Sequence, residues 1–175
     1  MPKVVSMSPM TSCVGCGVRL PILDGVTHPY MDSSPACWAK FGEVLAREYS
    51  DPQYFAVHRL TVDAYAVQHP GRPSSQTVSS VALHLISLSL IFEEGAAPAQ
   101  ATAAMQAAAR TRGRYTWLEP PPSLGTLTIA DVVACQTAAD HARVVREWAL
   151  TVWKTWATHH VTVRSWVQLV NRPGR

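Results

Sequence analysis

Apolar positions along the chain recur at helical spacing, in runs separated by Pro, Gly and Ser. The first run opens at Ser34-Pro35-Ala36, where a Ser before a Pro suits an N-cap and first helical position. Trp38, Phe41, Val44 and Leu45 then follow on one face, and Tyr49-Ser50-Asp51-Pro52 ends the run. A second helix is expected from Asp51 or Pro52 to His69, where Pro70-Gly71 stops it. Between Gln76 and Phe92, Val81, His84, Leu85, Leu88 and Ile91 share a stripe, although the Ser, Val and Ile content also permits a strand.

Gly95-Ala96-Ala97-Pro98 breaks that segment, and AQATAAMQAAAR after it has high helix propensity with weak patterning. Residues 113–126 form a Pro-rich connection whose Tyr115, Trp117 and Leu118 are expected to lie on the main body. Thr128 and Asp131 have capping-box spacing and predict a helix through about Arg143. That helix continues, or a new one begins, to carry Val145, Trp148, Val152, Trp156, Val163 and Trp166 toward Asn171-Arg172-Pro173-Gly174. Residues 1–36 show almost no periodicity and are rich in Pro, Gly, Ser and Cys. The expected architecture is all-α, an irregular bundle of about five helices. It is read as a single domain, with 1–36 a loop-rich metal-binding knuckle resembling a zinc knuckle and 37–175 the helical body.

Composition narrows the class. A chain of 175 residues can bury roughly 70% of its unfolded surface. Its 47% hydrophobic and 15% charged content exclude intrinsic disorder. A net charge of +3 from scattered basic residues carries no specific nucleic-acid signature. No stretch of signal-peptide length opens the chain, and Val78 to Phe92, interrupted by Ser79, Ser80, His84, Ser87 and Ser89, reads as too short and too polar to span a bilayer. A cytoplasmic location with no membrane partner is expected. A small-molecule ligand, a protein partner and a homo-oligomer all stay open.

Cys13-Val14-Gly15-Cys16-Gly17 carries the clearest chemistry. Two thiolates separated by two residues can reach one tetrahedral metal, and the glycines let backbone N–H groups turn toward sulfur. Cys37, at a helix start that favours thiolate, is the third candidate ligand, and His28 is the nearest fourth. Zn2+ is the expected cofactor, in a structural role. A redox-active dithiol and a pair of reduced bystanders are the alternatives. Cys135, in an Ala-rich stretch, reads as a small buried hydrophobe.

A polar stripe is the second feature. On a helix, His58, Val62, Tyr65 and His69 fall on one side, with Asp63 well around the cylinder. His84 lies on the next segment, and His159-His160 on the Trp-rich last one. If the rings converge, His58, Asp63, Tyr65, His69, His84 and His160 make a candidate catalytic set. Such a set could hold a divalent metal that activates water, or work as an acid/base cleft without one. His58 and His69 are eleven residues apart, which is about 20° of rotation but about 16 Å of rise, so one metal cannot take both from a straight helix. A small enzyme acting on a small molecule by hydrolytic-type chemistry is therefore weighed against a non-catalytic, zinc-stabilised binding or interaction module. The structural alternative for His84 is a core ring bonded to a backbone carbonyl.

The CxxCG, Ser33-Ser34-Pro35-Ala36-Cys37-Trp38, Ala46-Arg47-Glu48-Tyr49, HRLTVDAYAVQHPG at 58–71 and Val81-Ala82-Leu83-His84-Leu85 together resemble a bacterial family catalogued as domain of unknown function 5946. Trp117-Leu118-Glu119-Pro120-Pro121, Thr128-Ile129-Ala130-Asp131-Val132 and Trp156-Ala157-Thr158-His159-His160 also look like its pattern. The resemblance covers nearly the whole chain. It implies one architecture for these residues and no particular substrate.

Overall fold

Ser34 caps the first helix, α1 (Pro35–Ser50): its Oγ accepts from the Cys37 amide at 3.3 Å, and Pro35 occupies the first turn without losing a hydrogen bond. The computed structural model describes residues 9–171 apart from the Arg112 side chain. Residues 1–8 of the loop-rich segment and the expected stop at Arg172-Pro173-Gly174 lie outside it. The described residues form an all-α, irregular bundle of eight helices, with one short antiparallel hairpin of β1 (Met10–Ser12) and β2 (Arg19–Pro21) before them.

Eight helices replace the expected five because two of the expected long ones are broken. Asp51 caps a single turn, α2 (Pro52–Phe55), by accepting from Gln53 N at 2.8 Å. Val57 then leaves helical geometry at φ −111°, ψ 6° and turns its side chain into the core, so that α3 (His58–Gln68) begins afresh. Further on, Thr128 and Asp131 do make a capping box, but α6 (Ile129–Val133) lasts little more than a turn. Arg47 reaches across from α1 and donates to the carbonyls of Val132, Val133 and Cys135, satisfying the end of that helix. Thr137 starts α7 (Ala138–Thr155), and a 3₁₀ turn at Ala157–His159 separates α7 from α8 (His160–Asn171).

The segment between Gln76 and Phe92 resolves as helix rather than strand. It is α4 (Ser75–Glu93), which packs on α3, α5 (Pro98–Ala108), α7 and α8. At 19 residues it is, by length and composition, apolar enough to cross a membrane, contrary to the reading of the shorter stretch. Half of its apolar window is buried inside the bundle, as in a core helix. The core continues through Trp148, Trp156, Leu85, Ile86 and Ile129, all fully enclosed. The Pro-rich connection is pinned by buried Gln68, whose Nε2 donates to the carbonyls of Leu124 and Leu127 at 2.9 and 2.8 Å, while its Oε1 accepts from Trp148 Nε1.

Antiparallel α1 and α3 meet at two places. At the far end of α1, Glu48 is fully buried and accepts from His58 Nδ1 (2.7 Å), Thr61 Oγ1 (2.5 Å) and His141 Nε2 of α7 (2.9 Å). Burial alone would push this carboxyl up, but the hydrogen bonds from His141, His58 and Thr61 outweigh it and hold it below the usual carboxylate range. Because the folded value lies below the unfolded one of about 4.3, the stabilisation is complete above that pH and is lost as pH falls through the folded value. Glu48→Gln is expected to cost about 3 kcal/mol near neutrality, with the gap to the parent closing below about pH 4. Urea unfolding of both proteins across pH 3–7 measures that gap. A gap that stays constant with pH would assign the loss to packing alone.

Candidate metal centre

The hairpin turn is built to present sulfur. Cys13 N donates to Val18 O, and Gly17 N to Cys13 O, both at 2.9 Å, with Gly17 in the left-handed region at φ +76° that glycine occupies at little cost. This turn places Cys13 and Cys16 over the N-terminal end of α1, where Cys37 sits in the first turn. His69 closes the group from the end of α3. Pro70 bars the helix from continuing, and His69 adopts φ −127°, ψ 59° as its C-cap.

Cys13, Cys16, Cys37 and His69 each offer one ligand atom, and all four atoms lie within 4.8 Å of one another. Cys16 Sγ is 3.8 Å from Cys37 Sγ, and Cys37 Sγ is 3.5 Å from His69 Nε2. A tetrahedral ion with thiolates at about 2.3 Å and an imidazole at about 2.0–2.1 Å has donor separations of about 3.6–3.8 Å, so these edges fit with little adjustment. The chain therefore carries a Cys3His cluster capable of coordinating a metal ion. Three of its donor residues are buried and Cys16 is half-buried.

Surrounding groups orient the donors. His69 Nδ1–H donates to Tyr65 O at 2.8 Å, which turns Nε2 toward the sulfurs. Ser34 N–H donates to Cys13 Sγ at 3.4 Å. The Tyr65 hydroxyl shares a 2.6 Å hydrogen bond with Ser33 Oγ and donates to Cys37 Sγ at 3.6 Å, while its ring stacks between Phe41 and His69. Burial, and next the charge on Cys37, push the Tyr65 phenol up, so it stays a donor.

Taken by themselves, the four donors crowd negative charge. Hydrogen bonds from Cys16 and Cys37 hold the Cys13 thiol far below its ordinary value, and contact with Cys13 and Cys37 pushes Cys16 far up. Burial pulls His69 down, but hydrogen bonds to Cys13 and Cys37 and the charge they carry outweigh it and raise the imidazole to about 9. Positive charge placed among the sulfurs would relieve this crowding.

The remaining candidates are placed elsewhere. His28, expected as the fourth ligand, lies edge-on to Tyr30 and Trp38 with its Nδ1 accepting from Tyr30 N, and burial lowers its pKa. His69 stands in the corner expected for it. The candidate catalytic set does not converge on one site: His58 is bound to Glu48, His69 and Tyr65 belong to the sulfur cluster, and His84 is bound to Asp63. His160 stacks on Trp153 and donates to its carbonyl at 3.0 Å. Cys135 is buried apart from the cluster, with its thiol donating to Asp131 O. Glu48 and His141 were not marked by the sequence, because a Glu in an amphipathic helix and a His after Asp140 look like ordinary surface residues.

A family model described as "Family of unknown function (DUF5946)" matches residues 11–157, which include all four donors. The chain belongs to this family. No curated protein and no solved structure matches it. Within the family segment, Gly15 is the position where the hairpin touches α3. A Cβ there would come within 2.4 Å of Asp32 O and 2.5 Å of His69 Cδ2. Gly15→Ala is expected to displace His69 and weaken metal retention at least about tenfold against a competing chelator. Gly17→Ala has open space around it and should cost only the strain of its positive φ, about 1–2 kcal/mol. Equal retention by the two variants would refute the role given to Gly15.

Proposed function

We propose that Cys13, Cys16, Cys37 and His69 bind Zn2+ as a structural ion, and that the protein is a non-catalytic, metal-stabilised binding or interaction module. The observation that carries this reading is the convergence of four protein donors from the hairpin, α1 and the end of α3, the number that completes a tetrahedral shell and leaves no position for substrate. Three thiolates with one imidazole suit zinc above the harder divalent ions. The dispersal of His58, His84 and His160 to separate partners favours the module over an enzyme built on all of them. The segment tethered by the cluster displays Val14, Ile22, Leu23 and Val26 to solvent, an apolar set that suits an interaction role.

Elemental analysis of protein purified without an affinity tag should find close to one zinc per chain. A Cys13→Ser, Cys16→Ser double variant and a His69→Ala variant should each lose most of it, whereas His28→Ala should keep it. Chelation of the parent should lower its melting temperature and expose the amides of residues 10–21 to hydrogen exchange. Full zinc in the double variant, or none in the parent, would overturn the assignment.

A further inference from the structure

A cleft of about 510 Å3 opens between α4, the start of the Pro-rich connection and the segment before α1, with Tyr30, Gln76, Ser80, Leu83, His84 and Tyr115 among its walls. Its volume is that of a small-molecule site. None of the four metal-centre donors lines it. His84 is held there by a buried carboxylate. Asp63 is fully enclosed and its Oδ1 accepts from His84 Nδ1 at 2.7 Å, while Oδ2 accepts from Ser87 Oγ at 2.5 Å. Arg59 Nη2 lies 2.8 Å from Oδ1, near enough for an ion pair although out of line for a hydrogen bond.

This arrangement sets the chemistry of the exposed ring edge. Arg59 pairs the charge of Asp63, and the carboxylate fixes the orientation of the His84 ring. With Nδ1–H donating to the carboxylate, Nε2 is an acceptor. It has no protein partner among the described residues, and the side chain is partly exposed at the cleft. The side chains described as lining the cleft include no Asp, Glu, Lys or Arg, and none of them would repay the desolvation of a charged ligand. Leu83, Val78 and the Tyr115 ring supply an apolar flank.

We propose that this cleft is a second site, separate from the metal centre, which binds an uncharged small molecule carrying a hydroxyl or amide donor beside an apolar ring, with the Asp63-oriented His84 Nε2 accepting its hydrogen bond. Such a molecule is the kind of ligand that a binding module, as proposed above, would take. Its binding does not depend on the identity of the metal.

Phenol serves as the probe, with benzoate and benzylamine as charged counterparts of similar size, followed by amide NMR on the intact metal-loaded protein. Phenol should give saturable shifts at Ser80, Leu83, His84 and Tyr115. His84→Phe should weaken its binding about tenfold, the worth of one hydrogen bond to a positioned acceptor. Ser80→Trp, which fills the cleft, should abolish it. Neither charged probe should saturate over the same concentrations. His84→Asn, whose amide can still donate to Asp63, replaces the Phe variant if that one fails to fold. Unchanged phenol affinity in the folded His84 variant, shifts confined to other surfaces, or equal binding of benzoate would overturn the proposal. Metal content measured in the same samples keeps this outcome distinct from failure of the zinc assignment.

Discussion

The clamp between α1 and α3 is the constraint on which the other parts lean. Cys37 and Glu48 are eleven residues apart on one helix, and His58 and His69 are eleven apart on the other, running in the opposite direction. Eleven residues make three turns and about 20°, so both ends of each helix face the same neighbour without extra twist. Phe41 and Tyr65, each four residues in from the metal end, stack at 4.0 Å between ring centroids. The stripe that looks catalytic on a helical wheel is thus the inner face of a helix pair. One end is joined through sulfur and imidazole, the other through a carboxylate and the His58 imidazole.

Different physics holds the two ends because their surroundings differ. At the Glu48 end, α7 supplies His141 and Tyr54 of α2 covers that ring, so the carboxylate is enclosed by the bundle. At the Cys37 end, the covering layer is the segment before α1. Among its described residues Cys13 is buried, while the larger apolar Val14, Ile22, Leu23 and Val26 face water. So little burial leaves the hairpin dependent on directional bonds. Two close approaches make those bonds reachable: Gly15 against Asp32 O and His69, and Gly71, at φ +71°, against Tyr30 O.

Much of this was legible along the chain. The Ser34-Pro35 start, the Thr128/Asp131 box, the Pro70-Gly71 stop and the alternation of apolar stripes located the helices, since each depends on contacts within a few residues. The breaks at Val57 and after α6 were not, because they follow from where Val57 is buried and from Arg47 reaching carbonyls 85 or more residues away. Three cysteines of the cluster were readable from type and spacing. His69 reads from its helical stripe as part of a catalytic set, and His28 is the nearest histidine to the cysteines in sequence, which says little about proximity across a turned chain. The pairing of His84 with Asp63 needed two helices side by side, and no periodicity reports that.

The two ends of the clamp also differ in the length of chain they enclose. Glu48 and His58 are ten residues apart, Cys37 and His69 thirty-two, and His141 joins Glu48 from ninety-three away. Closure entropy grows with the logarithm of that length, so the inner contact costs about 1 kcal/mol less to form than the contact at the metal end. An α1–α3 hairpin zipped outward from Glu48 brings Cys37 and His69 together as a half-made site. Cys13 and Cys16 then have a fixed pair of donors to meet rather than two wandering ones. The β1–β2 hairpin is thus secured by a helix pair whose own short turn draws the other two donors together.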